Sequence, residues 1–113
     1  MSSSKNRVDK KLFEEIFKKG KTLKGKYFLL RFFPIDKNQK KFTFVVPSSV
    51  SKSAVRRNLL KRRGRYVLNL NKNKINSGLG MIFIFNKSSI EAKFQELKKD
   101  ILFITSSVQQ RNK

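Results

Sequence analysis

The sequence contains no cysteine and no histidine, and it has few acids. The missing residues exclude disulfides, thiolate metal sites, zinc fingers and zinc knuckles. A nuclease that uses general acid-base catalysis usually relies on histidine or on clustered carboxylates that hold metal ions. The seven acids are instead scattered towards the two ends of the chain, at Asp9, Glu14, Glu15, Asp36, Glu91, Glu96 and Asp100. We therefore predict no catalytic residue and no metal ligand in this protein.

Long apolar runs are also absent. The longest clean run, Met81 to Phe85, is far shorter than the roughly 20 residues that cross a bilayer. The first residues, MSSSKNRVDKK, carry charge but no apolar segment of the kind found in signal peptides. We expect a cytoplasmic protein that is not bound to a membrane.

The length of 113 residues suits a single domain with one modest core. The polar composition of both ends predicts flexible tails at about residues 1–8 and about residues 106–113.

Positive charge dominates the composition. The chain has 28 Lys and Arg against 7 Asp and Glu, a net charge of +21. Thirteen of the cations occur between Asp36 and Glu91, where no acid intervenes. A chain that repels itself in this way is stabilised by a polyanion, and nucleic acid is a better candidate than an anionic membrane.

Periodicity predicts helices and strands in alternation. Apolar residues at helical spacing indicate a first helix from Asp9 to Lys19, with Gly20 as its C-cap. KYFLLRFFPI and KFTFVVP read as strands paired in an antiparallel hairpin, and a weak signal indicates a further strand at residues 21–24.

The rest of the chain completes an α+β sandwich on a small sheet. MIFIF is predicted to be an inner strand because it is apolar throughout. A last helix is predicted to open near Ser88 or Ser89 and to carry one apolar stripe, formed by Ile90, Phe94, Leu97, Ile101 and Ile104.

A basic helix is predicted from Lys52 to Leu70, where KSAVRRNLLKRRGR holds seven cations and no acid. A helical wheel places most of its polar groups on one side: Arg57, Asn58, Lys61, Arg62 and Arg65. The other side is predicted to pack on the sheet, through Val55, Leu59, Leu60, Tyr66, Val67 and Leu70, with Arg56 and Arg63 at its margin. Gly64 predicts either a kink or an early end of the helix.

Most charged faces are simply solvated, but such faces usually mix signs and form i to i+4 ion pairs. Cations without acids on one face favour phosphate binding instead. Arginine suits bidentate phosphate contacts, and an asparagine adds a group that can hydrogen-bond a base or a ribose.

At this helix the sequence resembles the protein subunit of bacterial ribonuclease P, whose motif is an Arg-Asn-Arg helix followed by Lys-Arg and a further Arg. The resemblance extends from the first helix and its Lys-Gly-Lys exit, Lys19 to Lys21, through the closing helix. The matching motif positions are Ala54, Val55, Arg57, Asn58, Lys61, Arg62 and Arg65.

The sequence departs from the family pattern at two places. Leu59 stands where the motif has its second arginine, and Ser48 and Ser49 stand where paired lysines precede the helix. Lys52 is a candidate substitute for those lysines after a one-residue insertion.

The resemblance implies an α-β-β-β-α-β-α fold on a mixed sheet, with the basic helix in a left-handed βαβ crossover, an exception to the usual handedness. It implies a protein cofactor of the ribonuclease P ribozyme, in a 1:1 complex, that assists removal of the 5′ leader from precursor tRNA and lowers the Mg²⁺ requirement. The Mg²⁺ ions would be bound by the RNA. The residues expected to bind the catalytic RNA are Lys52, Arg56, Arg57, Asn58, Lys61, Arg62 and Arg65.

The resemblance also implies a cleft for the single-stranded leader between the sheet and the first helix. Phe13 and Phe17 are expected to line it, although their spacing fits a core position equally well. Arg31 is a third candidate, because a cation in an apolar strand needs an anion or access to water. It alternates with Tyr27, Leu29 and Phe33 on one predicted strand face, a mixture typical of single-strand binding sites.

The alternative function is a structural RNA-binding protein such as a small ribosomal protein, which shares the size, the charge and the lack of catalytic residues. A nuclease that uses its own carboxylates is disfavoured by their scatter.

Overall fold

The computed structural model describes residues 7–71 and 77–111. The α+β class and the element order predicted from the sequence are confirmed. The elements are α1 (Lys10–Lys19), β1 (Lys21–Lys24), β2 (Phe28–Pro34), β3 (Lys40–Val45), α2 (Ala54–Leu70), β4 (Leu79–Phe85) and α3 (Phe94–Arg111), with a 3-10 turn at Lys87–Ile90 before α3.

The four strands form one mixed sheet in the order β1-β2-β4-β3. β2 is antiparallel to both β1 and β4, whereas β3 is parallel to β4. The predicted hairpin between β2 and β3 is therefore wrong, because β4 lies between them. β4 is the most apolar strand, and an inner position buries both of its faces, as the sequence predicted. The parallel pairing needs a crossover connection, and α2 provides it.

One face of the sheet carries the main core, and we call it the core face. Alternation along the strands places on it Phe28, Leu30, Phe32, Phe42, Phe44, Met81, Phe83 and Phe85. α2 and α3 cover this face with buried aliphatic side chains. The aromatic rings pack closely there: the centroids of Phe44 and Phe83 are 4.8 Å apart, and those of Phe28 and Phe85 are 4.6 Å apart.

α2 approaches the sheet closely at Gly64. A Cβ atom at this position would lie 2.5 Å from Cε2 of Phe44, which no relaxed structure tolerates. The helix is continuous from Ala54 to Leu70, so neither the predicted kink nor the predicted early end is present. The glycine instead lets the helix backbone lie against an aromatic ring.

α1 lies on the opposite face of the sheet, which we call the cleft face. The fully buried Ile16 packs over Gly80 of β4, whose neighbours Met81 and Leu79 point to the core face. Asp9 caps the helix by accepting a hydrogen bond from the Leu12 amide at 2.8 Å. The helix ends at Gly20 as predicted, with φ at −71°.

α3 begins later and ends later than predicted. Ser89 belongs to the 3-10 turn, and the helix starts at Phe94, where Glu96 accepts a hydrogen bond from the Lys93 amide at 3.0 Å. That bond, together with one from the Tyr27 hydroxyl, holds the pKa of Glu96 below its ordinary value. The helix continues to Arg111, into the segment predicted to be a tail, and Val108 is fully buried. Most of the predicted N-terminal tail lies outside the described residues.

Asp100 of α3 fixes the turn between β1 and β2. Its buried carboxylate accepts hydrogen bonds from the backbone amides of Lys26, at 3.1 Å, and Tyr27, at 2.8 Å. Two hydrogen bonds to a charged acceptor are stronger than neutral ones. The turn that leads into β2 is thus tied to the helix on the core face.

Replacing Gly64 with alanine tests the close approach of α2. An alanine normally stabilises a helix interior by up to about 1 kcal/mol relative to glycine. Here we expect Gly64→Ala to lower the free energy of unfolding by about 1 to 3 kcal/mol, because the Phe44 ring must move. Urea denaturation measures the change, and Asn69→Ala on the exposed side of α2 is the control. A stability gain in both variants would contradict this packing.

Candidate nucleic-acid interface

The start of α2 is held by two serines. Ser53 is the N-cap, and its hydroxyl accepts a hydrogen bond from the Arg56 amide at 3.3 Å. The guanidinium of Arg57 turns back and donates to the Ser51 carbonyl oxygen at 2.9 Å. Arg57 thereby joins the helix to the loop before it, and part of its donor capacity is used inside the protein.

The seven residues predicted to bind RNA are brought together along α2 and its preceding turn. Arg57 and Lys61 are half-buried beside the sheet. The other five are exposed to solvent: Lys52, Arg56, Asn58, Arg62 and Arg65. Within the part of the chain that the structure describes, the side chains of these five make no hydrogen bond or ion pair. The four cations among them form a cationic surface whose charges are available to an external anion, and Asn58 lies on the same surface.

The predicted packing side of α2 is largely wrong. The buried positions are Leu60, Gly64, Val67 and Leu68. The helix is therefore rotated by about a quarter turn from its predicted orientation, which brings Gly64 against the sheet. Four residues that were predicted to be buried are exposed as a result: Val55, Leu59, Tyr66 and Leu70.

The cleft face carries the second group of predicted residues. Phe13 and Phe17 stack on each other on α1, with ring centroids 6.0 Å apart and planes at 13°. Phe17 is 53% exposed and Phe13 is half-buried, so neither is a core residue. The core position that their spacing indicated is therefore wrong, and the two rings form an exposed aromatic platform.

Arg31 lies at the junction of this platform and the sheet. Its guanidinium is 5.5 Å from the centroid of the Phe17 ring, within the range of a cation-π contact. The same group donates to the Thr22 hydroxyl at 2.7 Å and to the Gly20 carbonyl oxygen at 3.0 Å. The predicted need of this cation for an acceptor is thus met within the protein, although Nε is buried without a partner.

Tyr27 does not join Arg31 on this face, contrary to the prediction. It precedes β2 and is buried in the main core. Its hydroxyl donates a hydrogen bond to Oε2 of Glu96 at 2.9 Å. Leu29 and Phe33 do share the face of Arg31 and are half-buried there.

Three half-buried residues on the cleft face were missed by the sequence analysis. The strand register places Leu29, Ile84 and Val45 in one row across the sheet, and Thr43 lies in the next row with Arg31. Ile84, Val45 and Thr43 come from β4 and β3, which were not expected to lie side by side. Alternation in KFTFV could have identified Thr43 and Val45, because the intervening Phe42 and Phe44 fill the core.

The acids contribute to the fold rather than to a shared site. Asp9, Asp36, Glu96 and Asp100 each accept a hydrogen bond from a backbone amide. Among residues 7–71 and 77–111, no three potential metal-ligating side chains lie close enough together to hold an ion. None of the helices within these ranges has the length and apolar character to cross a bilayer.

The sequence is similar to several proteins named Ribonuclease P protein component. The protein from Bacillus cereus (strain AH187) is 33% identical over 95 residues, which are 81% of this chain and 80% of that protein. The protein from Bacillus anthracis (strain A0248) is also 33% identical over 95 residues, with 81% and 77% covered.

The fold is similar to solved structures with related names. The RNase P protein from Thermotoga maritima matches with a TM-score of 0.77 and 29% identity, over 82% of this chain and 87% of that chain. The Staphylococcus aureus RNase P protein matches with a TM-score of 0.77 over 92% of this chain and 94% of that chain. Its identity of 20% supports the fold alone.

The family comparison covers nearly the whole chain. The model of the family described as Ribonuclease P matches residues 1–108, which include every strand, α1, α2 and most of α3. The chain therefore belongs to the Ribonuclease P family, as its protein component.

Proposed function

We propose that this protein uses two surfaces, the outer side of α2 and the cleft face of the sheet, for two RNA partners within ribonuclease P. Family membership makes it an RNA-binding component of an enzyme that processes tRNA. The cationic surface of α2 binds the catalytic RNA, and the cleft face binds the 5′ leader of precursor tRNA. The complex contains one protein and one catalytic RNA, and it acts in the cytoplasm.

The observation that carries this proposal is the set of exposed cations on α2. Arg56, Arg62 and Arg65 are exposed and lie on a helix that contains no acid. Each guanidinium can neutralise a phosphate and release condensed counterions. Asn58 is exposed among them and can donate to a ribose or a base edge.

The cleft face suits a single strand. The stacked Phe13 and Phe17 rings are partly exposed, so that an unpaired base can stack on this aromatic platform. Arg31 fixes the position of Phe17 through the cation-π contact, and it supplies positive charge beside the platform. Thr43 and Val45 extend the half-exposed floor, so the surface is long enough for more than one nucleotide.

Hydrolysis is assigned to the RNA and to Mg²⁺ ions held by it. Four of the seven acids accept hydrogen bonds from backbone amides at separate places in the fold: Asp9 at the start of α1, Asp36 in the turn before β3, and Glu96 and Asp100 in α3. Among the described residues, no group of three acids lies close enough together to hold a metal ion. The protein lowers the Mg²⁺ requirement because its cations neutralise phosphates that would otherwise need metal ions. A small ribosomal protein would share the charge, but family membership does not favour that alternative.

Precursor-tRNA cleavage by the cognate catalytic RNA tests the proposal. At low Mg²⁺ concentration, adding the protein should restore cleavage and should tighten the binding of precursor tRNA more than that of mature tRNA. Protein without RNA should not cleave. Cleavage by the protein alone, or an unchanged Mg²⁺ requirement, would contradict the proposal.

The cationic surface predicts a change in salt dependence. Arg62→Ala and Lys61→Ala should each flatten the slope of log affinity for the catalytic RNA against log salt concentration by about 0.7 to 0.9 for one lost phosphate contact. Arg57→Ala should act similarly and should also destabilise the fold, because it breaks the bond to Ser51. The control is Lys99→Ala, an exposed cation on α3. Equal slopes for Arg62→Ala and the unmodified protein would identify a merely solvated face.

The cleft predicts selective loss of leader binding. Phe17→Ala and Arg31→Ala should each weaken the binding of precursor tRNA to the holoenzyme, with about 1 to 3 kcal/mol lost for each base that no longer stacks. Binding of mature tRNA and of the catalytic RNA should change little. Phe103→Ala is the control, because this phenylalanine is exposed on α3 on the other side of the sheet. Equal losses for precursor and mature tRNA would refute a leader-specific role.

A further inference from the structure

The exposed side of α2 is not uniformly cationic. Val55, Leu59, Tyr66 and Leu70 are 79%, 39%, 55% and 64% exposed. Their spacing of four, seven and four residues places them in one line along the helix, and we call this line the apolar stripe. At 1.5 Å per residue the stripe is about 22 Å long.

Cations flank the apolar stripe on both sides. On the helical wheel, Arg62 and Arg65 lie along one edge, and Arg56 and Arg63 lie along the other. The stripe thus has an apolar centre and a cationic border on each side. A surface of this pattern fits a partner with two parallel rows of negative charge and a less polar floor between them.

The apolar stripe touches α3 at Tyr66, whose ring centroid is 6.0 Å from that of Phe94, and Tyr66 remains 55% exposed. Neither the remaining segments of this chain nor a second copy of it suits the exposed part of the stripe. The segments outside the described ranges, residues 1–6, 72–76 and 112–113, contain only two large apolar side chains, Met1 and Ile75. A second copy would bring its own flanking arginines and a net charge of +21 against those of the first. Such repulsion opposes association through this surface.

We propose that the apolar stripe lies in the minor groove of a helical segment of the catalytic RNA. This inference rests on the proposed function of α2. The minor groove of A-form RNA is wide and shallow, and it displays ribose edges between two phosphate strands. The stripe contacts the carbon-bound edges of the riboses, and the arginines on its two sides meet the two phosphate strands.

Leu59 gives this chain a distinctive contact. It stands at the position where the family motif has its second arginine, and the structure places it in the apolar stripe between Val55 and Tyr66. At this position an apolar contact with the groove floor replaces a phosphate contact. Its contribution to affinity should therefore depend little on salt.

A salt titration of RNA affinity distinguishes the two kinds of contact. The double variant Val55→Ser/Leu59→Ser should bind the full-length catalytic RNA about tenfold more weakly, because the apolar area that it buries is lost. Its salt slope should equal that of the unmodified protein. Leu59→Arg should instead steepen the slope by about 0.7 to 0.9 through a new phosphate contact. Thermal unfolding is the folding control, since both residues are exposed.

The outcomes separate this inference from the function on which it rests. If Arg62→Ala flattens the salt slope of RNA affinity while the double serine variant binds normally, the inferred minor-groove contact is wrong. The proposed binding of RNA by the cationic surface is then still supported. If Arg62→Ala also has no effect, the proposed role of α2 itself fails.

Hydroxyl-radical footprinting locates the contact on the RNA. The unmodified protein should protect riboses on both strands across one minor groove, and the double serine variant should lose that protection. Protection of one strand only would overturn the inference. So would a protein dimer that the serine substitutions dissociate without any change in RNA affinity.

Discussion

The close contact between Gly64 and the Phe44 ring sets the orientation of α2, and the position of the cationic surface depends on that orientation. Phe44 is itself fixed by stacking on Phe83 of the central strand. With the glycine against this ring, Leu60, Val67 and Leu68 become the packing side chains. Arg56, Arg62 and Arg65 are then directed away from the sheet. A larger residue at position 64 would lift the helix and tilt the whole cationic surface.

The distribution of the few acids explains why the cations remain available. Four of the seven carboxylates accept hydrogen bonds from backbone amides in helix starts and turns. Asp100 uses both of its oxygens in this way and holds the turn that leads into β2. These hydrogen bonds hold the four carboxylates in structural roles, and the sequence between Asp36 and Glu91 contains no acid. The resulting charge favours an anionic partner.

Periodicity and composition predicted α1, the inner position of β4 and the cationic segment, because those signals are local. The pairing of the strands was not predictable in the same way, because it depends on contacts between distant parts of the chain. A β2–β3 hairpin was the simplest pairing, but β4 lies between these two strands, where both of its apolar faces are buried. The helical wheel also predicted the wrong orientation of α2. Hydrophobicity alone selected Val55 and Tyr66 as buried, whereas the absence of a side chain at Gly64 decided which side packs. The prediction of a leader cleft came from the likeness to the family, whereas spacing alone indicated core positions for Phe13 and Phe17.

The central claim is that the outer side of α2 and the cleft face of the sheet bind different RNA partners independently. A double-variant cycle tests it most directly: precursor-tRNA affinity is measured for holoenzymes with Arg62→Ala, Phe17→Ala and both changes, at protein concentrations that saturate the catalytic RNA. The account predicts that Phe17→Ala costs the same binding free energy in both backgrounds, within about 0.5 kcal/mol, as distant sites do. A coupling energy above about 1 kcal/mol would contradict it.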